Sequence, residues 1–185
     1  MNSNDTFFLH GEIDVKPILD IIETNNLDWD EYTDRQKKFS GAHLHTKTIP
    51  IIFDKSLNFD HFKIIPTEHF PIFNNQIELI ENKIKDSTGE DGKIMRALLV
   101  KLDAKKNISP HVDAGKSLVN CRRVHLALQT NDYCFFTVGD EKKNLKIGEL
   151  WEINNDKKKH SVENLGEKDR IHLIVDWVEK TMIQS

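Results

Sequence analysis

Two histidines and one aspartate are spaced so that they could bind a single metal ion. His111 and Asp113 are two positions apart, and His160 lies further along the chain. Two neutral imidazole nitrogens and one carboxylate can occupy one face of an octahedral metal and leave the opposite face open, as in non-haem Fe(II) oxygenases. Open positions are typical of catalytic rather than structural metal sites. The alternative is a surface strand for the first two residues and a loop position for His160.

Arg170 is the residue through which such a site could bind a carboxylate. It follows His160 at the start of the next predicted strand. The planar guanidinium fork binds a carboxylate through two parallel hydrogen bonds, which lysine cannot reproduce. Each hydrogen bond to a charged group contributes roughly 1.5–3 kcal/mol, so one fork would dominate the affinity for a carboxylate cosubstrate. The alternative is an exposed residue at the end of a strand.

The elements that must position these residues change character near Lys93. Before it the pattern is mixed, with predicted helices over Pro17–Asn26 and Phe73–Lys85 and a short predicted strand over Ile49–Phe53. After it, apolar runs between turn residues predict strands at Met95–Leu102, Ile108–Asp113, Arg122–Gln129, Cys134–Val138, Leu145–Ile153, His160–Asn164 and Arg170–Val178. Many short strands at this spacing indicate a β-sandwich or barrel.

Two of these strands have one apolar face and one polar face, because residues two apart share a face. The polar faces carry Arg123, His125, Ala127 and Gln129 on the first strand and Arg170, His172, Ile174 and Asp176 on the second. Lysine and glutamate, which usually dominate a solvated face, are missing from both. We therefore expect the polar faces to line a cavity and the apolar faces to pack on the N-terminal helices. A solvated outer surface is the alternative.

Composition limits the class of protein and its partners. A chain of 185 residues with 38% hydrophobic and 30% charged residues is typical of one soluble domain. A net charge of −4 provides no basic surface for nucleic acid. Cys121 and Cys134 are too few for a disulfide framework, and the N-terminus has the pattern of neither a signal peptide nor a membrane anchor. We therefore expect a cytoplasmic protein, with a small-molecule or peptide substrate and no nucleic-acid or membrane partner.

The remaining histidines give weaker signals. His43 and His45 could share a strand face, but no carboxylate is spaced to complete a metal-binding set with them. His10, His61 and His69 are isolated and are predicted to lie at the surface. The sequence has no glycine-rich phosphate loop, and neither cysteine has a histidine spaced for nucleophilic catalysis.

Three segments resemble one known family. The stretches HVDAGKSLVNCRRVHLAL, GELWEINN and HSVENLGEKDRIHLIVDW look like the aspartyl/asparaginyl β-hydroxylases, a family that includes hydroxylases of free proline. The resemblance covers about half of the chain, from Lys93 to Glu179. It implies a mainly β protein with N-terminal helices and a double-stranded β-helix (jelly-roll, cupin-like) core. We expect one domain over residues 1–185, with a mixed helical elaboration over 1–92 and the jelly-roll core over 93–179.

The resemblance also implies roles for individual residues. It implies an Fe(II) site at His111, Asp113 and His160, with Arg170 on the distal carboxylate of 2-oxoglutarate. Arg123 and His125 match the family's Arg-x-His strand and are implied to approach the other end of the cosubstrate or the substrate. A looser similarity upstream suggests substrate contact by Arg35, Gln36 and His45.

The implied reaction is an oxidative decarboxylation of 2-oxoglutarate that consumes O2 and hydroxylates an amino-acid side chain. The substrate would be peptidyl Asp, Asn or Pro, or a free amino acid. Two other classes remain open: a cupin-like metalloprotein that does not use 2-oxoglutarate, and a non-catalytic jelly-roll binding module. Arg170, together with the strand that carries Arg123 and His125, favours the oxygenase, because neither alternative needs two carboxylate-binding strands.

Overall fold

The structure is a computed structural model that describes residues 5–184, with the side chain of Ser40 excepted. Within this range the strands are β1 Phe7–Glu12, β2 Thr46–Ile52, β3 Gly92–Leu102, β4 Lys106–His111, β5 Arg122–Gln129, β6 Cys134–Val138, β7 Glu141–Lys143, β8 Glu149–Ile153, β9 His160–Asn164 and β10 Arg170–Glu179. The helices are α1 Lys16–Thr24, α2 Asp34–Lys38, α3 Ser40–His43, α4 Phe70–Thr88 and α5 Lys116–Val119, followed by a 3₁₀ turn at Lys180–Met182.

Two antiparallel sheets form the core. The larger sheet has the strand order β1-β8-β5-β10-β3-β2, and the smaller has the order β4-β9-β6-β7. Every neighbouring pair is antiparallel. The predicted mainly β fold with N-terminal helices and a jelly-roll core is therefore confirmed. β1 and β2 extend the larger sheet at its two edges, so residues before Lys93 contribute strands as well as helices.

The larger sheet packs helices on one face and the smaller sheet on the other. Its helix-covered face buries apolar residues of α1, α4 and the strands, among them Ile18, Phe73, Ile80, Leu99, Val124, Leu126, Leu173, Val175 and Trp177. A second apolar cluster lies between the sheets and includes Leu102, Ala127, Phe136, Val138, Ile153 and Val162. The predicted sorting of β5 and β10 into an apolar and a polar face is confirmed, and the apolar faces meet the helices.

α1 and α4 form where the apolar spacing predicts them. Phe73, Ile77, Ile80 and Ile84 form the buried stripe of α4. Gly89 ends this helix in the left-handed region at φ 72°, where its backbone N–H donates to the Lys85 carbonyl oxygen at 2.7 Å. Glycine is favoured there because it has no Cβ.

Several elements differ from the prediction. β4 ends at His111, so Asp113 lies in the loop beyond it and not on the predicted strand Ile108–Asp113. β8 begins at Glu149, four residues later than predicted. β1, β7 and the three short helices were not predicted, because each is too short or too polar to give a periodic signal.

Candidate metal centre

The structure brings His111, Asp113 and His160 together at one end of the smaller sheet. His111, the last residue of β4, pairs in register with His160, the first residue of β9. The Asp113 backbone N–H donates to the Asn155 carbonyl oxygen at 2.9 Å, which fixes the loop after β4 beside the two histidines. One ligand atom from each of the three side chains lies within 4.8 Å of the other two.

Two hydrogen bonds orient the candidate ligands. His111 Nδ1 lies 2.8 Å from the Ser109 carbonyl oxygen, a geometry in which Nδ1 carries the proton and Nε2 is left to bind a metal. Asp113 Oδ2 accepts a hydrogen bond from Asn155 Nδ2 at 3.0 Å. A hydrogen bond from a metal-binding side chain to a neighbouring group fixes the orientation of that side chain toward the metal.

The protonation states of the candidate ligands suit a metal. Burial raises the pKa of Asp113, but the charge of Arg123, the neighbouring His160 and the Asn155 hydrogen bond outweigh burial and hold that pKa below its usual range. Burial lowers the pKa of His160 to about 4. At neutral pH the site therefore offers an ionised carboxylate and a neutral imidazole, as metal binding requires.

Arg123 connects the candidate metal carboxylate to a second buried carboxylate. Its Nη1 contacts Asp113 Oδ2. Its Nε and Nη2 donate to Asp176 Oδ1 and Oδ2 at 2.8 and 2.9 Å. Asp176 is also paired with Arg96, whose Nη2 donates to Ser117 Oγ at 3.0 Å. Arg123 therefore positions Asp113, and it keeps two of its five N–H groups for another ligand.

A cavity on one side of the three candidate ligands, the Arg170 cavity, has a cationic wall. Arg170 is 1% exposed, and no carboxylate of residues 5–184 lies within ion-pair distance of it. Its Nη2 donates to His172 Nδ1 at 2.6 Å, and its guanidinium lies 5.7 Å from the centre of the Phe136 ring. Burial lowers the pKa of Arg170 to about 10, so it remains a cation at neutral pH. The cavity is lined by Arg35, His43, Val100, Ile108, His111, Arg123, His125, Phe136, His160, Val162, Arg170 and Ile174.

His125 faces the same cavity without a hydrogen bond. It is 4% exposed, and neither ring nitrogen has a partner among the described residues. Burial, together with the charges of Arg170 and Arg123, lowers its pKa well below the usual range, so the ring is neutral. A buried polar atom without a partner costs roughly 1–3 kcal/mol. The ring is therefore suited to a ligand that brings a polar group into the cavity.

A second cavity, the aromatic cavity, adjoins the first and has a volume of about 360 Å³. It shares Arg35, His43, His111, Arg123 and Ile174 with the Arg170 cavity and adds Phe39, Gly41, Ala42, Phe53, Phe59, Arg96, Leu98, Val112, Asp113, Ala114, Leu118 and Asp176. Of the candidate metal ligands, His111 therefore lines both cavities, Asp113 lines the aromatic cavity and His160 lines the Arg170 cavity.

The upstream residues suggested for substrate contact separate into two groups. Arg35 lines both cavities; its Nη2 donates to His43 Nε2 at 3.2 Å, and its Nη1 is buried with no partner among residues 5–184. Gln36 and His45 line neither cavity. Gln36 instead donates to Thr48 Oγ1 at 3.0 Å. Substrate contact by these two residues stays a prediction that neither cavity supports.

His43 occupies the position expected for His45. α3 ends at His43, so the two histidines do not share a strand face. The His43 ring packs edge-on against His111, with centroids 5.3 Å apart, and burial lowers its pKa to about 2. The sequence pattern His43-Leu44-His45 pointed to two histidines close together. It could not show that His43 is the one that lines the cavities, because the short helix α3 that places His43 there has no hydrophobic periodicity.

His10 is the other histidine whose position differs from the prediction. It is 5% exposed, not at the surface, and it contacts Ser87 and Glu152 far from the metal centre. Arg96 and Asn155 were also missed as site residues, since only the fold brings Arg96 to Asp176 and Asn155 to Asp113. Asp176 lies on the polar face predicted to line a cavity, and its arginine partners were not predicted. Within residues 5–184, no helix is both long enough and apolar enough to span a membrane.

Comparisons with known proteins identify a family. A model of the aspartyl/asparaginyl beta-hydroxylase family matches residues 51–180, more than two thirds of the chain. No curated protein gives a significant match.

Two solved structures share the fold. A 2OG-Fe(II) oxygenase-family oxidoreductase from Burkholderia pseudomallei superposes with a TM-score of 0.58 at 15% identity, covering 72% of this chain and 66% of the other. The chain thus spans just under two thirds of that protein's length. A prolyl hydroxylase from Trichoplax adhaerens, in complex with a hypoxia-inducible-factor peptide fragment, superposes with a TM-score of 0.64 at 9% identity, covering 95% and 84%. At these identities the two solved structures establish only the fold. The family match over residues 51–180 establishes that this chain belongs to the aspartyl/asparaginyl β-hydroxylase family.

Proposed function

We propose that the protein is an Fe(II)- and 2-oxoglutarate-dependent dioxygenase that hydroxylates a C–H bond of an amino-acid side chain. The observation that carries the proposal is the position of Arg170. This buried cation has no carboxylate partner among the described residues, and it lines the same cavity as His111 and His160. A site that binds a metal beside an unpaired arginine is suited to a cosubstrate that chelates the metal and ends in a carboxylate.

The residues present fit the implied groups. Two imidazoles and one carboxylate, with ligand atoms within 4.8 Å of one another, match the donor set of an open Fe(II) site. His111, Asp113 and His160 would hold the iron, and Arg170 would hold the distal carboxylate of 2-oxoglutarate. His125, whose ring nitrogens have no partner among the described residues, and Arg123 line the same cavity as Arg170.

When bound, iron and 2-oxoglutarate supply the oxidising chemistry: 2-oxoglutarate and O2 give succinate, CO2 and a hydroxylated substrate. The protein supplies position and environment. Arg170 fixes one end of the cosubstrate, and the apolar side chains Val100, Ile108, Phe136, Val162 and Ile174 exclude water around it. Arg123 and Asn155 hold the Asp113 carboxylate in one orientation.

A cupin-like metalloprotein that does not use 2-oxoglutarate would leave Arg170 unexplained. Burying a guanidinium without a counter-ion is costly, and the cost is offset only when an anion enters. A non-catalytic binding module, in which a residual metal only stabilises the fold, would account for the three candidate ligands but not for the buried Arg170 beside them. The position of Arg170 therefore favours the oxygenase over both alternatives.

The proposal is tested by product formation. Purified protein with Fe(II), ascorbate, O2 and 2-oxoglutarate should release succinate when the correct substrate is present. Mass spectrometry should then find a product heavier by one oxygen in a library of amino acids and peptides containing Asp, Asn or Pro. Succinate release that does not depend on Fe(II), or none with any library member, would contradict the proposal.

A further inference from the structure

The two cavities together carry more positive than negative charge. Four arginines line them, namely Arg35, Arg96, Arg123 and Arg170, against two aspartates, Asp113 and Asp176. Neither lysine nor glutamate is among the lining residues. The protein therefore contributes two unbalanced positive charges before any ligand binds. A divalent metal adds two more, and 2-oxoglutarate, a dianion, removes two. The two cavities, with metal and cosubstrate bound, would then keep two positive charges that the substrate can balance.

Arg35 is the arginine of the aromatic cavity that has no ion pair with a described residue, and it also lines the Arg170 cavity. Arg96 and Arg123 are paired with Asp176, and Arg170 stands in the other cavity. Arg35 has no ion pair with any described residue, and its Nη1 is buried without a hydrogen-bond partner. Burial lowers the pKa of Arg35 to about 10, which leaves it charged at neutral pH. A guanidinium in this condition recruits an oxyanion, most directly a carboxylate.

The aromatic cavity has no free anion to receive an ammonium group. Both Asp176 oxygens accept hydrogen bonds from arginine. Asp113 is held by Arg123 and Asn155 and is the candidate metal ligand. A free amino acid would place its ammonium beside arginines and beside carboxylates that are already engaged. The cavity therefore disfavours a zwitterion.

The body of the ligand meets apolar surface. The apolar part of the wall includes Phe39, Phe53, Phe59, Leu98, Leu118 and Ile174. The three phenylalanine rings are neighbours, with Phe59 6.1 Å from Phe39 and 6.4 Å from Phe53 between centroids. A cavity of about 360 Å³ with aromatic walls suits a small apolar body, since such surfaces gain from excluding water.

We propose that the substrate is a small carboxylate with an apolar body and no free ammonium group, its carboxylate bound by Arg35. Either a simple carboxylic acid or an N-acylated residue with a free C-terminal carboxylate has this chemistry. The inference rests on the proposed function only in naming the ligand a substrate. It disfavours the free amino acids of that proposal, and it goes beyond the proposal by adding simple carboxylic acids to the candidate substrates.

Four matched probes and one acidic probe test the inference by isothermal titration calorimetry. The matched probes are 4-phenylbutyrate, its primary amide, 2-amino-4-phenylbutyrate and the N-acetyl derivative of that amino acid. The acidic probe is N-acetylaspartate α-amide. Each is titrated into protein alone and into protein saturated anaerobically with Fe(II) and 2-oxoglutarate. Because binding to the protein alone needs neither iron nor cosubstrate, failure of the inference is distinguishable from failure of the proposed function.

We expect 4-phenylbutyrate to bind about tenfold or more tightly than its amide, a ratio set by the charged hydrogen bonds to Arg35. The free amino acid should bind as weakly as the amide. The N-acetyl derivative should match 4-phenylbutyrate if the natural ligand is an N-acylated residue, and bind more weakly than it if the ligand is a simple acid. Equal binding of acid and amide, preference for the free amino acid, tightest binding of the aspartate probe, or no binding of 4-phenylbutyrate would overturn the inference.

Variants in α2 assign the effect to one side chain. Arg35→Gln should remove the preference for acid over amide, whereas Lys37→Gln, which removes the same charge from an exposed position on the same helix, should keep it. Arg35→Lys retains the charge and should keep part of the preference, which covers the case in which the glutamine variant folds poorly. A full preference in folded Arg35→Gln would contradict the assignment.

Discussion

Two consecutive arginines on β5 belong to two buried polar clusters. The clusters differ in whether every buried polar atom has a hydrogen-bond partner. Arg122 belongs to a closed cluster with His10, Ser87, Glu90 and Glu152. His10 lies 2.6 Å from Ser87 Oγ and 3.1 Å from Glu152 Oε2, and Arg122 donates to both Glu152 oxygens at 3.1 Å and to Glu90 at 3.0 Å. No side-chain nitrogen or oxygen of this cluster is buried without a partner.

Arg123 belongs to the second cluster, which surrounds the candidate metal centre and is incomplete. Buried nitrogens of Arg35, His43 and His125 have no partner among residues 5–184, and Arg170 has no carboxylate. Because unsatisfied buried groups destabilise a fold, the incomplete cluster is explained by ligands that complete it. The comparison therefore separates a cluster that stabilises the fold from one that binds ligands, and it predicts that substitutions in the two clusters change different quantities.

The largest effect on activity is expected from His111→Ala. This change removes one of three proposed iron ligands, so iron-dependent succinate formation should fall by about a hundredfold or more. His111 is only partly buried, so far-UV circular dichroism and the melting temperature should stay near those of the wild type. His61→Ala is the control, because His61 lines neither cavity and should retain activity. Full activity in His111→Ala would remove the metal-ligand assignment.

Arg170→Lys should raise the 2-oxoglutarate concentration needed for half-maximal succinate formation by about ten- to a hundredfold, because the two-pronged carboxylate contact is lost while the charge remains. Arg122→Lys makes the same change in the closed cluster and should leave that concentration unchanged. A wild-type cosubstrate requirement in Arg170→Lys, measured by steady-state kinetics, would refute the role given to Arg170.

Arg122→Gln should act on stability. The change leaves Glu152, which is 4% exposed, without its arginine, so the free energy of unfolding should fall by about 2–4 kcal/mol. Each kcal/mol corresponds to a melting temperature lower by about 2–4 °C for a chain of this size. Lys142→Gln, which breaks the exposed pair with Glu163, should cost under about 1 kcal/mol. Denaturant unfolding measures both, and equal losses would contradict the distinction between the clusters.

The smallest effect concerns pH. Burial raises the pKa of Glu152, but the His10 hydrogen bond and the Arg122 charge outweigh it and hold the pKa below its ordinary value of 4.5. A depressed carboxyl pKa stabilises the fold above pH 4.5, and this contribution is lost as the pH falls through the folded-state value. Glu152→Gln should therefore reduce the pH dependence of the unfolding free energy at acidic pH, by at most the slope that one bound proton contributes. Glu163→Gln, at an exposed pair, should not. An unchanged profile in Glu152→Gln would mean that this carboxyl is not depressed.

Regular alternation made much of the core predictable. β5, β6 and β9 have the predicted bounds, and the polar and apolar faces of β5 and β10 follow from alternation alone. The apolar spacing of α4 likewise gave its buried face. The elements that were missed have no such signal. β1 joins the sheet through pairing with β8, which lies about 140 residues away and cannot be inferred from six residues.

The site was predictable only where residue type carries the chemistry. Two histidines and a carboxylate point to a metal from any position, so the three candidate ligands could be named. Asn155 and Arg96 could not, because each acts through a partner that only the fold supplies. For Asp176, alternation predicted the cavity-lining face but not its arginine partners. The same reason explains His10, whose burial depends on Glu152 at the other end of the sequence.

The central claim is that His111, Asp113 and His160 hold iron beside a cosubstrate bound by Arg170. The most direct test is anaerobic addition of Fe(II), with bound iron measured, followed by 2-oxoglutarate and a visible absorption spectrum. We predict a metal-to-ligand charge-transfer band in the wild type and in Arg122→Gln, and none in His111→Ala. Folded, iron-loaded wild-type protein that shows no band would contradict the account.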